Sequence, residues 1–165
     1  MSQEGSVVVF LAEFDHQVEL VEKIYATLDK KLERWPEEPV SAEGVESAGY
    51  WLHNLYCALE DLFKLVSAFF ENHLADDGSY HVSLLKRMIL KIDKVRPPLL
   101  STKSYEFLNE LRGFRHVFRH AYTFGLDDER VVFLLRRVVA RKGRLLEDLK
   151  TFRAAVATVG EGKAP

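Results

Sequence analysis

The stretch LRGFRHVFRHAY, residues 111–122, holds the side chains whose types and spacing could do chemistry. Three arginines and two histidines fall within nine positions of it. Arginine offers a fixed positive charge and a planar set of donors, whereas histidine exchanges a proton near physiological pH. Together they suit the binding of an anionic group and proton transfer beside it. No other segment of the chain has this combination.

The same stretch has the periodicity of an amphipathic helix. At 100° per residue, apolar side chains fall on one broad face and basic side chains on the opposite arc. The apolar face comprises Phe107, Leu108, Leu111, Phe114, Val117, Phe118 and Ala121, and the basic arc comprises Arg112, Arg115, His116, Arg119 and His120. We therefore expect a helix that is packed on one side and exposed or partnered on the other. Gly113, inside this helix, is expected to permit close helix packing.

The elements that must position this helix are also predicted to be helical. Apolar residues at three- and four-residue spacing predict helices over about 6–35, 42–74, a short segment before Pro97, and about 127–157. Ser101 or Ser104 offers an N-cap for the basic helix, and Gly125 is its expected end. With no persuasive strand, the pattern predicts an all-α, up-and-down bundle of four long helices plus one short helix.

Length and composition indicate one soluble domain. A chain of 165 residues with 47% hydrophobic residues can bury a core without metal or disulfides. We expect one domain over 1–157 and a flexible tail over 158–165. Cys57 is the only cysteine, which favours a reducing, cytoplasmic setting. The first residues lack the features of a signal peptide or a membrane span, so no membrane association is expected.

Charge is unevenly distributed along the chain. The formal net charge is only −2, but acidic residues dominate the first half and eleven lysines and arginines gather between Arg112 and Arg153. Such asymmetry predicts a local positive surface that could bind an anionic ligand or an acidic partner. Arg136, Arg137 and Arg144 could extend a track for RNA or form a solvated face.

Residues 115–122 spell R-x4-H-x-Y, with a polar histidine directly after the arginine. This motif resembles the signature of HEPN-domain ribonucleases, and specifically of HepT-like toxins. The motif's place near the end of the penultimate long helix and the all-helical pattern extend the resemblance over nearly the whole domain. The resemblance implies a metal-independent RNA endonuclease that acts as the toxin of a HEPN/MNT toxin–antitoxin pair.

The resemblance also implies roles for the residues of the motif. Arg115 and His120 would be the catalytic pair, with Arg115 as the ligand of the phosphate and His120 as the acid or base. His116 would be the polar residue after the arginine, with Arg119 and Arg112 in support. On an ideal helix Arg115 and His120 lie about 140° and roughly 7.5 Å apart. Because they flank an arc, two chains facing each other across a twofold axis could surround a phosphate, and HEPN ribonucleases usually form homodimers.

Tyr122 matches the tyrosine of the family's motif. It lies about 20° from Arg115 on the helical wheel. In the family, an MNT-type nucleotidyltransferase antitoxin can add AMP to this tyrosine. The resemblance therefore implies a control site at Tyr122, a nucleotidyltransferase partner and an RNA substrate.

Other interpretations of the same residues stay open. A catalytically inactive HEPN-like module could bind a nucleotidyltransferase or a nucleotide, and a structural bundle could use its basic face only for oligomerisation. His116 and His120 have the i, i+4 spacing of a zinc pair, but an HExxH glutamate and nearby cysteines are missing and flanking arginines repel a cation. We therefore expect no metal and no cofactor. His53 and Cys57 are interpreted as packing residues.

Overall fold

The computed structural model describes residues 3–35, 41–71, 80–121 and 125–160. Six helices run through these ranges: α1 (Gln3–Glu33), α2 (Ala42–Glu71), α3 (Tyr80–Met88), α4 (Thr102–Arg119), α5 (Asp128–Ala140) and α6 (Lys142–Gly160). Within them there is no strand, and one isolated bridge joins Ile92 to Arg96. The predicted all-α helical bundle is confirmed.

The last predicted helix is divided in the structure. α5 ends at its C-cap Arg141, and α6 begins at the next residue. Residues 158–160, which the sequence analysis assigns to a tail, continue α6, and 161–165 lie outside the described residues. None of the described helices combines the length and the apolar character needed to cross a lipid bilayer.

α2 is the central helix of the bundle. It packs against α1, α3, α4 and α5. α1 runs antiparallel to it, because Phe10 stacks on Phe69 near one end while Lys31 donates to Ser47 at the other. Large buried side chains from several helices meet around α2: Phe10, Phe14, Tyr25, Tyr56, Phe63, Phe107, Phe114 and Phe152. Their burial is the main stabilising contribution to the fold.

The start of α4 is fixed by a cap and by a buried carboxylate. Ser101 is the N-cap, and its hydroxyl accepts a hydrogen bond from the amide of Ser104 at 3.3 Å. Asp148 of α6 accepts from the Ser101 amide at 2.8 Å and from its hydroxyl at 2.7 Å. Of the two predicted caps, the structure therefore selects Ser101. These bonds fix the axial position of α4 against α6.

The end of α4 comes earlier than predicted. The helix ends at Arg119 with His120 as its C-cap. Gly125, the expected end, lies beyond it with a φ of +73°, a conformation that favours glycine, and donates to the carbonyl of Ala121 at 2.7 Å. The basic residues of α4 therefore occupy the last turns of a helix rather than its middle.

Arg96 fastens the segment that leads from α3 to α4. Its side chain is fully buried and pairs with Glu71 at the end of α2, at 2.6 Å. It also donates to the carbonyls of Arg87, Leu90 and Pro97. Glu71 pairs with Arg87 as well, and these cations lower the pKa of its carboxyl against the opposing effect of burial. The segment is thereby held against α2.

Candidate functional site

The basic half of α4 lies at the surface of the bundle. His116, Arg119 and His120 are exposed, while Arg112 and Arg115 are half-buried. Phe114 is buried beneath them, so the helix is packed on one side as expected. Val117 departs from the expected pattern: the sequence places it on the packed face, but it is 37% exposed.

Arg115 is held by a carboxylate on the neighbouring helix. Its Nη1 lies 2.5 Å from Oε2 of Glu60, whose side chain is only 3% exposed. Lys64, one turn further along α2, approaches the other oxygen of Glu60 at 3.2 Å. The guanidinium carbon also lies 5.8 Å from the ring centre of Tyr56. A buried carboxylate needs such compensation, because removing its charge from water is costly.

This ion pair sets the orientation of Arg115. Its Nη1 faces Glu60, and its Nε is buried without a hydrogen-bond partner among the described residues. The side chain is still 16% exposed, so the remaining donors stay close to solvent at the edge of α4. Glu60 therefore fixes the guanidinium and compensates part of its charge.

His120 caps the carboxyl end of α4 with its own ring. Its Nδ1 lies 2.8 Å from the carbonyl oxygen of His116, one of the carbonyls that a helix end leaves without a backbone donor. A carbonyl oxygen can only accept, so Nδ1 carries the proton. In the neutral ring Nε2 then has the lone pair, as a general base requires.

The two predicted catalytic residues do not meet within one chain. Arg115 turns toward α2, whereas the ring of His120 lies beside that of His116, with centroids 4.6 Å apart. Across the described residues, no hydrogen bond or ring contact joins Arg115 to His120. Arg112 donates to Asn109 at 3.1 Å. Tyr122 lies outside the described residues.

His53 on α2 lies beside the site, and the sequence did not predict this position for it. Its ring stacks on Phe118 of α4 with centroids 5.2 Å apart, and its Nε2 lies 3.6 Å from Sγ of Cys57. Burial lowers the pKa of His53, and the charges of Arg115 and Arg119 lower it further, against the opposing charge of Glu60. Its Nδ1 is buried without a hydrogen-bond partner in the described part of the chain. His53 therefore packs against α4, although one of its ring nitrogens has no partner among the described residues.

The sequence of α2 contains a pattern that indicates a polar face on this otherwise apolar helix. His53, Cys57 and Glu60 recur at i, i+4 and i+7 in a helix that is otherwise rich in apolar residues. Such spacing places three polar side chains on one face, which in the structure is the face toward α4. Burial raises the pKa of the Cys57 thiol although Arg115 acts in the opposite direction. The thiol therefore stays protonated and is a poor nucleophile.

The close approach of α2 and α4 occurs at Gly49. A Cβ atom there would lie 3.0 Å from Leu126 and 3.1 Å from Phe118. At Gly113, where the sequence predicts close packing, a Cβ atom would have no neighbour within 4 Å. The glycine that matters for helix packing beside the site is therefore in α2, and the prediction for Gly113 is wrong.

Much of the predicted positive surface is compensated inside the fold. Four basic side chains that follow α4 reach carboxylates on other elements or on their own helix: Arg137 to Glu110 at 3.0 Å, Lys142 to Asp29 at 2.7 Å, Arg144 to Asp148 at 3.4 Å and Arg153 to Asp15 at 2.7 Å. Three of these pairs join different helices, and the pair of Arg144 with Asp148 lies within α6. Exposed cations for which no ion pair is described here include Arg119 on α4, Arg130 and Arg136 on α5, and Lys150 on α6.

Two concave regions lie away from the basic residues of α4. A groove of about 450 Å³ lies between α1 and α2 and is lined by Leu20, Ile24 and Trp51 among others. A second, of about 520 Å³, is lined by residues of α6, Gly143 and Lys150 among them. Among the described residues, no group of three or more histidines, cysteines and carboxylates could hold a metal ion. The exposure of His116, Arg119 and His120 makes the end of α4 accessible to a large ligand.

An all-α bundle with arginine and histidine at the exposed end of α4 is consistent with the HEPN-type helical modules that the sequence resembles. The family model described as HepT-like protein matches residues 47–156, two thirds of the chain. The chain therefore belongs to the HepT-like family. The matched range starts inside α2, so α1 is an addition to the matched part. No curated protein and no solved structure matches the chain.

Proposed function

We propose that this protein is a metal-independent RNA endonuclease and the toxin of a HEPN/MNT toxin–antitoxin pair. The proposal rests chiefly on the edge of α4, where Glu60 orients Arg115 and a backbone carbonyl fixes the tautomer of His120. Membership of the HepT-like family supports it. An open cationic edge fits a long polyanion better than a small metabolite.

The chemistry needs one base, one acid and a cation. Nε2 of His120 takes the proton of a ribose 2′-hydroxyl, whose oxygen then attacks the adjacent phosphorus. The bond to the 5′-oxygen breaks, and that oxygen takes up the proton that His120 now carries, leaving a 2′,3′-cyclic phosphate and a 5′-hydroxyl. Arg115 binds a non-bridging oxygen and stabilises the charge that develops on the phosphate. Arg119 and Arg112 bind flanking phosphates, and His116 lies beside His120.

A second copy of the chain would complete the site. Arg115 is paired with Glu60 and His120 with the carbonyl of His116, and no hydrogen bond or ring contact of the described residues joins the two side chains. The resemblance to HEPN ribonucleases, which usually form homodimers, supports a second chain at this edge. We therefore propose a homodimer in which the two α4 helices face each other.

Control by an antitoxin is part of the same proposal. An MNT-type nucleotidyltransferase would add AMP to Tyr122, and the added anion would obstruct RNA at the adjacent edge of α4. The pair would act in the cytoplasm.

The deciding experiment uses full-length protein freed of its antitoxin and of any modification at Tyr122. Cleavage of RNA in EDTA, lost in His120→Ala and in Arg115→Ala, is the expected result. Arg34→Ala is the matched control, since it removes an exposed arginine that follows α1 and should retain cleavage. Absence of cleavage, together with unchanged growth toxicity of His120→Ala, would refute the proposal.

One observation favours a second candidate. Because Glu60 compensates Arg115, the edge of α4 carries less free positive charge than its sequence indicates. A catalytically inactive module that binds a nucleotidyltransferase or a nucleotide would tolerate this compensation. Retained binding of the nucleotidyltransferase without any RNA cleavage would select this candidate.

A further inference from the structure

His116 and His120 form a pair of exposed imidazoles at the end of α4. They are one turn apart, and their ring centroids are separated by 4.6 Å. We propose that these two side chains chelate a transition-metal ion, Zn²⁺ foremost, through Nε2 of His120 and a ring nitrogen of His116. Imidazole nitrogen is a preferred ligand of Zn²⁺.

The orientation of His120 is the first argument for this site. Its Nδ1–H donates to the carbonyl oxygen of His116 at 2.8 Å, so the lone pair of the neutral ring is on Nε2. Metal-ligating histidines commonly donate their other ring N–H to a carbonyl or carboxylate, which fixes the ring and its tautomer. His120 has this arrangement while its ring remains exposed.

The spacing of the rings is the second argument. A Zn–N bond of about 2.0–2.1 Å places each ring centroid about 3.2 Å from the metal, and a tetrahedral angle then separates two centroids by about 5 Å. The observed separation of 4.6 Å is within reach of small side-chain rotations. The two rings are therefore close enough for one ion to bind both after rotation of their side chains.

The charge around the pair is more favourable than the sequence indicates. Arg115, one of the flanking arginines, is compensated by Glu60. The carboxyl end of a helix also carries partial negative charge, which favours a cation in its last turn. Arg119 is exposed in that turn and remains as the repulsive neighbour. Replacing it should therefore strengthen metal binding.

Two protein ligands make a reversible site rather than a structural one. The described residues contain no group of three or more metal-ligating side chains, so water would complete the coordination. Mg²⁺, which prefers oxygen ligands, should not bind there. One consequence rests on the proposed function: Nε2 of His120 cannot bind a metal and accept a proton together, so bound Zn²⁺ would inhibit RNA cleavage.

The test is calorimetric titration of Zn²⁺ into tag-free, full-length protein. We expect one Zn²⁺ per chain, at least about tenfold weaker binding in His116→Ala and in His120→Ala, and no binding of Mg²⁺. His16→Ala, which removes an exposed histidine from α1, should bind as the wild type does. Arg119→Gln should bind more tightly than the wild type.

Several outcomes would overturn the inference. These are the absence of Zn²⁺ binding at millimolar metal, equal affinity in His116→Ala and the wild type, or half a Zn²⁺ per chain, which would contradict chelation within one helix. The titration contains no RNA, so its result is separate from the proposed function. Zinc binding by a protein that does not cleave RNA in EDTA would refute the nuclease alone, and cleavage without zinc binding would refute the zinc site alone.

Discussion

Replacement of Glu60 by glutamine tests the role of the ion pair that holds Arg115. The variant keeps the shape of the side chain but removes its negative charge, leaving the half-buried guanidinium facing a neutral amide. Losing one partner of a buried pair costs about 3–5 kcal/mol. Arg115 is 16% exposed and can turn partly toward water, and the amide retains one hydrogen bond. We therefore expect a loss of about 2–3 kcal/mol in the free energy of unfolding.

Urea denaturation of the wild type and the variant measures this loss. Lys64→Ala is the matched control, because Lys64 contacts the same carboxylate but its side chain is 41% exposed. An exposed partner of this kind contributes about 0–1 kcal/mol. In the double variant of Glu60→Gln and Arg115→Met, the losses should be clearly less than additive, since both partners of one interaction are then removed. If Glu60→Gln and Lys64→Ala lower the free energy of unfolding by equal, small amounts, the ion pair of Glu60 and Arg115 does not stabilise the fold as argued.

Three further predictions concern α4 and its surroundings. The pKa of His53 is lowered in the folded chain, so the unfolded chain binds more protons than the folded chain at and just below pH 6.5. The free energy of unfolding should therefore fall as the pH drops from about 6.5 to the folded-state pKa of His53. Urea midpoints from pH 5 to 8 should show this slope in the wild type, and a slope unchanged in His53→Gln would contradict it. Gly113→Ala should stabilise the protein by about 0.5–1 kcal/mol, because no atom lies within 4 Å of the added Cβ. Gly49→Val should destabilise it through contact with Phe118, as thermal denaturation can measure, and equal melting temperatures would count against this packing argument.

Local patterns in the sequence were sufficient to predict α4 and its N-cap. Apolar spacing predicts which side packs, and Ser101 has the side chain that an N-cap requires. The break between α5 and α6 could not be predicted in this way. Val138 and Leu145 are buried on either side of it, and their separation of seven residues is also that of one face of a continuous helix.

Contacts between distant residues account for what the sequence did not reveal about the site. Glu60 and Arg115 are 55 positions apart, and Lys142 and Asp29 are 113 apart. The spacing of Glu60 with His53 and Cys57 indicates a shared polar face, but its spacing with Lys64 is also that of a solvated helix pair, so the sequence does not show that Glu60 is buried against Arg115. The distribution of charge along the chain predicted a positive surface because it does not show which carboxylates pair with the lysines and arginines.

The ion pair of Glu60 and Arg115 has two opposite consequences for an RNA-cleaving site, and one variant separates them. If Glu60 mainly compensates charge, Glu60→Gln frees Arg115 for phosphate and cleavage should rise. Nη1 faces Glu60 and Nε is buried, however, so the pair holds the guanidinium in one orientation between α4 and α2. Because misplacement by about 1 Å can cost a hundredfold in rate, we expect cleavage by Glu60→Gln to fall about tenfold to a hundredfold. Glu60 is then a positioning residue, and raised cleavage in EDTA would refute that role while leaving the nuclease intact.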